Sequence, residues 1–353
     1  MRGVTWKLTI FTRKGAVFLI ITGLLILVLL LSLIVGQVQI PASAIVQSFG
    51  AQLGLLQTDA PPLTAEQTAV LYHIRLPRMI VGALVGAALA VSGAVMQGVF
   101  GNPLADPGII GVSSGAALGA VLAIALGFTA AGMYIMPIFA LIGGLLSVTL
   151  TVLLAMRNGK IPVMVLLLAG VAVSILLGAL TSGILTFMNE YKLREFLFWT
   201  VGGLDYRRWE HIYLSVGPII VGILILFFLA RHLNLLVLGE EESRSVGVPV
   251  MTLRLILLFV ATLTTAFAVC ISGSIGFVGL VVPHVMRLLL GPEHRVLLPA
   301  SALAGALFLV GCDTIGRCII PPLEIRVGIM TALIGAPYFL YLLRSSQKRG
   351  GLF

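Results

Sequence analysis

Apolar residues fall along this chain in long blocks, and short polar stretches separate them. Ten blocks approach the roughly 20 residues that a helix needs to cross a bilayer. They run from about 16–36, 79–99, 109–128, 134–156, 161–188, 212–230, 251–272, 275–290, 297–316 and 327–343. The eighth and ninth are short, and Pro283 in the eighth predicts a broken or partial helix. Residues 41–56, IPASAIVQSFGAQLGL, are amphipathic and are expected to lie along the membrane surface. The longest polar stretches, about 37–75, 189–211 and 231–250, are loop-sized. The pattern therefore predicts an all-α, polytopic membrane protein. Residues 1–353 form a single transmembrane domain, with 37–75 an external loop that carries the surface helix.

The first block follows Arg13 and Lys14, as a secretory signal does. It is longer than the usual signal core, and no small-residue cleavage site follows before Gln37, so a retained helix is expected. Hydrophobic residues make up 59% of the chain, charged residues 10%, and mean hydropathy is +1.14. Charge sets the orientation. With ten spans and the N-terminus inside, both termini are cytoplasmic. The inside then holds 14 of the 22 basic residues (Arg2, Lys7, Arg13, Lys14, Arg157, Lys160, Arg231, Arg244, Arg254, Arg287, Arg295, Arg344, Lys348 and Arg349) against five acidic ones. The eight basic and eight acidic residues outside cancel, so the whole net charge of +9 is cytoplasmic. Nucleic acid is not needed to explain so basic a chain.

Several classes are disfavoured. An ion-coupled secondary transporter needs ionisable relays within its spans, and mid-span charges are almost absent here. A membrane-embedded enzyme or metal site needs clustered His, Asp or Glu, and none is visible. Cys270, Cys312 and Cys318 have neither disulfide nor zinc spacing and read as small apolar residues. No phosphate-binding motif occurs, so if ATP drives this protein another chain must bind it.

The stretch from Arg75 to Gly119 is the most informative. Two glycine-studded spans meet at the polar turn Gly101-Asn-Pro-Leu-Ala-Asp-Pro-Gly108, and Arg75 and Arg78 stand at the entrance. Small residues at Gly82/Gly86 and Gly111/Gly115/Gly119 predict close helix packing. RLPR at 75–78 and GAALAVSGAVMQGVFGNPLADPGIIGVSSGAALG at 86–119 resemble the FecCD/BtuC-like family, the permease subunits of type II ABC importers for ferric siderophores, haem and cobalamin. Further matches are LGEEESRSVGVPV at 238–250, GSIGFVGLVVPHVMR at 273–287, HRVLLPASALAGA at 294–306 and VGIMTALIGAPYFLYLL at 327–343.

The resemblance implies a homodimer in the bacterial cytoplasmic membrane with the pathway between subunits. It also implies two cytoplasmic ATPase subunits that carry ATP and magnesium, and an external substrate-binding protein. No cofactor is expected on this chain, and the cargo would be an iron chelate (haem or ferric siderophore), with cobalamin as the alternative.

The same resemblance assigns residues. Leu238, Gly239, Glu240, Glu241, Ser243 and Gly247 match the short helix that couples to the ATPase; by charge alone they also read as a solvated loop. Arg75, Arg78 and Arg317 match external arginines that receive acidic residues of the binding protein. Arg317 has a local alternative in Asp313 at i−4. Arg326 stands where the family commonly has proline; it is either a further docking or substrate charge or a partner of Glu324 or Asp313. Asn102, Leu104, Val163 and Met164 match the inner constriction, and the last two are more apolar than in the cobalamin branch. The segment 194–204 resembles a short re-entrant helix facing the pathway. His73 and His211 fall outside, where a haem iron could touch them in passing.

Overall fold

The computed structural model describes residues 2–52, 54, 63–156 and 161–348. Arg157, Lys160 and Arg349 of the charge balance, and 55–62 of the external loop, lie outside the described residues. The fold is a helical bundle. Its elements are α1 (Arg2–Ile34), α2 (Ala42–Gln52), α3 (Ala65–Ala69), α4 (Leu76–Phe100), α5 (Val112–Ala125), α6 (Ile135–Ala155) and α7 (Val163–Thr186). There follow α8 (Glu190–Thr200), α9 (Trp209–Leu236), α10 (Glu240–Ser245), α11 (Val250–Ser272), α12 (Val278–Leu290), α13 (His294–Cys318) and α14 (Val327–Lys348). A π-helical turn, Val70–Arg75, makes α3 and α4 one continuous rod.

Each predicted span coincides with a helix. Seven are long and apolar enough to cross a membrane, while α5, α12 and the apolar part of α14 are shorter. The third span contracts to 14 residues because Asp106 caps a 3-10 turn, Pro107–Ile110, and Gly111 follows in the left-handed region. The ninth is longer than its apolar block, 25 residues, because a polar first turn at His294 is helical too.

Pro283 does not break α12. A proline lacks the N–H that would bond the carbonyl four residues back, which here is Gly279. Gln97 on α4 supplies the missing donor: its Nε2 donates to the Gly279 carbonyl at 3.3 Å and to that of Leu280 at 3.2 Å.

Burial separates an inner core from an outer ring. The most apolar windows of the α3–α4 rod and of α11 are each 72% buried, against 17% for α1 and 22% for α7. The central α4 packs on α9, α11, α12 and α13. It approaches α13 closely, so that a methyl group on Gly86 would overlap the Gly305 carbonyl, and one on Gly305 would overlap that of Gly86. Gly115 and Gly119 let α5 approach the α6 backbone at Gly143 and Phe139 in the same way. The predicted surface helix is α2. It sits beside the start of the rod, where Ile40 and Ile45 cluster with Leu33 and Leu71 and Ser48 Oγ lies 2.8 Å from the Tyr72 hydroxyl.

Candidate functional site

Predicted site residues gather at the two ends of the bundle. At one end, α4 begins with Arg75 and Arg78 while α13 ends with Asp313 and Arg317. Both arginines of RLPR are buried, at 4% and 7% exposure, and Arg317 is 8% exposed. Arg75 Nη1 donates to the carbonyls of Leu33 at 2.6 Å and Ile34 at 2.9 Å, and Nη2 donates to that of Val38. It thus satisfies the carbonyls that the end of α1 leaves open.

Arg78 is the centre of an ionic network. Its Nε lies 3.0 Å from Asp313 Oδ2 and its Nη2 2.8 Å from Asp313 Oδ1. Nη2 also lies 3.1 Å from Asp205 Oδ1, and Nη1 donates to Glu324 Oε2 at 2.7 Å. Arg317 Nε is 3.3 Å from Asp313 Oδ2, so the i−4 pairing forms, and Nη2 donates to Ser32 Oγ at 2.8 Å. Arg326 does not pair with Glu324 or Asp313. Its Nη2 lies 3.4 Å from Asp205 Oδ2, and its Nη1 donates to the Phe198 carbonyl at 2.6 Å. The guanidinium stacks 4.4 Å from the Phe198 ring centroid. Arg78, Arg317 and Arg326 are thereby balanced by Asp205, Asp313 and Glu324. An outside carboxylate could reach Arg75, Arg78 or Arg317 only by displacing an internal partner. Arg326, with 21% of its side chain exposed, is the most open of the four.

Arg326 also fixes α8, a short helix that overlaps the 194–204 segment but begins at Glu190 and ends at Thr200. Phe196 and Trp199 of α8 are buried, while Leu197 and Phe198 are exposed. At its start, Lys192 Nζ donates to the Ala125 carbonyl at the end of α5, at 2.8 Å.

The opposite end carries α10 and the polar turn after α4. Gly239 and Gly247 flank α10 with φ of +120° and +81°, and the segment from Leu238 to Gly247 combines exposed residues with anchored ones. Leu238 and Val246 are 62% and 63% exposed, and Glu241 is exposed as well. Ser243 is buried and donates to the Leu235 carbonyl at 2.7 Å. Glu240 pairs with Arg244 at 2.6 Å and lies 3.8 Å from Arg254 Nη1 on α11. Arg254 in turn donates to the Ile161 carbonyl, at 3.4 Å, two residues before α7 begins.

In the turn, Asn102 Oδ1 accepts from the Leu104 N–H and Asp106 Oδ1 from that of Gly108, at 2.9 and 2.8 Å. Burial pushes the Asp106 carboxyl above its ordinary value, and the Gly108 N–H opposes that shift. Ala105, Ile110, Ile161 and Leu166 share one buried cluster, against which Val163 packs. Leu104 is half-buried and Met164 is 67% exposed. The turn and the start of α7 are thus joined through apolar contacts.

The model of the FecCD transport family matches residues 24–345. The chain belongs to this family. Its relatives include the cobalamin import system permease BtuC of Halobacterium salinarum, 46% identical over 88% of this chain and 80% of that protein. The hemin transport system permease HmuU of Yersinia pestis is 43% identical over 79% of this chain and 84% of its own. A solved structure described as an inward-facing conformation of a metal-chelate type ABC transporter superposes with a TM-score of 0.81 at 35% identity. That match covers 94% of this chain and 99% of the other. This FecCD chain is therefore a polytopic ABC importer permease.

Sequence reasoning offered Asp313 as a partner of Arg317 but missed the part of the FecCD chain's ionic network that reaches Arg78, and Asp205 altogether, which lies in a loop far from its partners. The signal available was the balance of charge outside. It also missed Arg254 and Ser243's bond to Leu235, because contacts between helices leave no local pattern.

Proposed function

We propose that this permease imports a metal chelate, and an iron chelate such as haem or a ferric siderophore first. It works as a homodimer in the bacterial cytoplasmic membrane with both termini inside. Two partner ATPases bind ATP and magnesium, and an external binding protein delivers the cargo. The observation that carries the mechanical part is α10. It is a short helix bounded by two left-handed glycines, with Leu238, Glu241 and Val246 exposed in and beside it and Glu240 and Ser243 anchored. A partner pressing on the exposed residues would push through Glu240 and Arg254 toward Ile161 and the start of α7, where Val163 and Met164 stand beside the Asn102–Leu104 turn. At the far end Arg75, Arg78 and Arg317 brace the face on which the binding protein lands, and Arg326 is the charge nearest its surface.

The apolar residues Val163 and Met164 at the inner constriction favour an iron chelate. A second reading, cobalamin, is favoured by the identity shared with the halobacterial relative. Proteoliposomes holding the full complex test both. ATP-dependent, vanadate-sensitive uptake of haem or a ferric siderophore is expected. Uptake of cobalamin alone would select the second reading. Uptake that persists with the ATPase blocked and follows an ion gradient would refute ATP-driven import.

A further inference from the structure

Arg207 and Arg208, in the loop between α8 and α9, differ from Arg78, Arg317 and Arg326 on the same face. Neither has a carboxylate partner among the described residues, whereas Arg78, Arg317 and Arg326 all do. Arg207 Nε is shielded from solvent and makes no hydrogen bond. Burial pulls the Arg207 guanidinium down to about 10; Asp205 opposes the shift and Arg326 adds to it. A half-buried guanidinium without a carboxylate beside it is open to an anion from outside the chain.

The neighbouring histidine sharpens the point. His211 Nδ1 lies 3.2 Å from the Arg208 backbone N and Nε2 lies 3.3 Å from Arg207 Nη1. A neutral imidazole accepts at only one of its two nitrogens, so one of these two N–H groups is left without an acceptor on the ring.

Arg207 and His211 line a pocket of about 350 Å³ bounded also by Arg208, Tyr206, Met133 and Met136. One acid, Glu195, lines it too and leaves the arginines in excess. Tyr206 is 87% exposed and holds a φ of +58°, a conformation that a bulky residue adopts only under constraint.

We propose that this pocket receives the carboxylate edge of a planar, acidic metal chelate, with Arg207, Arg208 and His211 as donors and Tyr206 as an apolar platform. The inference rests on the import reading and narrows its cargo. Haem carries two carboxylates, whereas cobalamin presents amides and a single phosphodiester. The orientation proposed above puts the pocket on the external side, where cargo arrives.

The test is an absorbance titration of the intact permease in lipid nanodiscs with haem and with haem dimethyl ester, which differ only at the carboxylates. Native protein should bind the acid on the order of tenfold more tightly, the size of one charge-assisted hydrogen bond. Arg207→Gln and Arg208→Gln should each abolish that preference, and Arg207→Lys should restore most of it. Arg208 is exposed, so Arg208→Gln folds normally and carries the test even if Arg207→Gln does not. Equal affinities for acid and ester in the native protein overturn the proposal, as does a preference that survives Arg208→Gln. ATP-driven uptake by the full complex is scored separately. Loss of all chelate uptake there overturns the import reading, whereas uptake alongside equal acid and ester affinity overturns only the pocket.

Discussion

Arg78 and Asp313, 235 residues apart, form a two-point ion pair inside the bundle, with Nη2 2.8 Å from Oδ1 and Nε 3.0 Å from Oδ2. Asp313 is 2% exposed. Removing one member of such a pair strands a buried charge. Arg78→Ala is expected to destabilise the purified permease by about 3–5 kcal/mol, read from thermal unfolding in detergent. The Arg78→Ala/Asp313→Ala double variant should lose less than the two single variants combined. A fully additive loss would show that the pairing contributes nothing.

Gly86 and Gly305 set the contact between α4 and α13. A methyl group at either would meet the other's carbonyl, and backbone cannot give way as a flexible side chain can. Gly86→Ala and Gly305→Ala should each cost about 1–3 kcal/mol by overpacking. Gly23→Ala, in α1 with open space around it, should be neutral or gain up to about 1 kcal/mol in helix propensity. Yield and unfolding temperature of the three variants give the comparison; equal behaviour would remove the close contact as an explanation for these glycines.

Gln97 replaces the hydrogen bond that Pro283 cannot make. Gln97→Leu keeps the volume and removes the donor. It should cost about 1–3 kcal/mol, the price of an unsatisfied buried carbonyl. Pro283→Ala in the same background should recover part of that loss, because the alanine N–H bonds the Gly279 carbonyl. Stability measurements on both variants check this, and the absence of any recovery would reject it.

Glu240, Arg254 and the Ile161 carbonyl form a chain from α10 to the start of α7. Arg254→Gln should weaken coupling by about 0.5–2 kcal/mol. The reconstituted complex would then hydrolyse ATP at a near-native rate while transporting less per turnover. The exchange Glu240→Arg/Arg254→Glu should restore part of the ratio. If transport and hydrolysis fall together, the chain acts on stability rather than on coupling.

Much of this architecture is legible in the chain itself. Ten apolar blocks become ten helices because a bilayer leaves the backbone no partner but itself. Glycine spacing correctly marks the close contacts of α4 and α5, since only the lack of a side chain permits them. The short amphipathic segment after α1 and the short helix before α9 were also readable. The eighth span is a short, partial helix as expected, but Pro283 does not break it, because the donor that compensates it lies on another helix.

What sequence could not rank is which apolar helix is inside. Lipid tails and protein interior are equally apolar, so α6 and α11 carry the same hydropathy, 2.4, although 33% of one window and 72% of the other is buried. Nor, beyond the i−4 pair of Asp313 and Arg317, could it pair the charges. RLPR and the distant Asp205, Asp313 and Glu324 read from sequence as external charges, and Arg75 and Arg78 as a place for a partner to land. In the fold Arg78 is buried among internal carboxylates, because a guanidinium removed from water must be matched by whatever carboxylates the fold brings near. The sequence by itself determined the spans, the packing surfaces and the family. Only the tertiary structure decided that Arg75, Arg78, Arg317 and Arg326 are internal fastenings and that Arg207 and Arg208 have no carboxylate partner among the described residues.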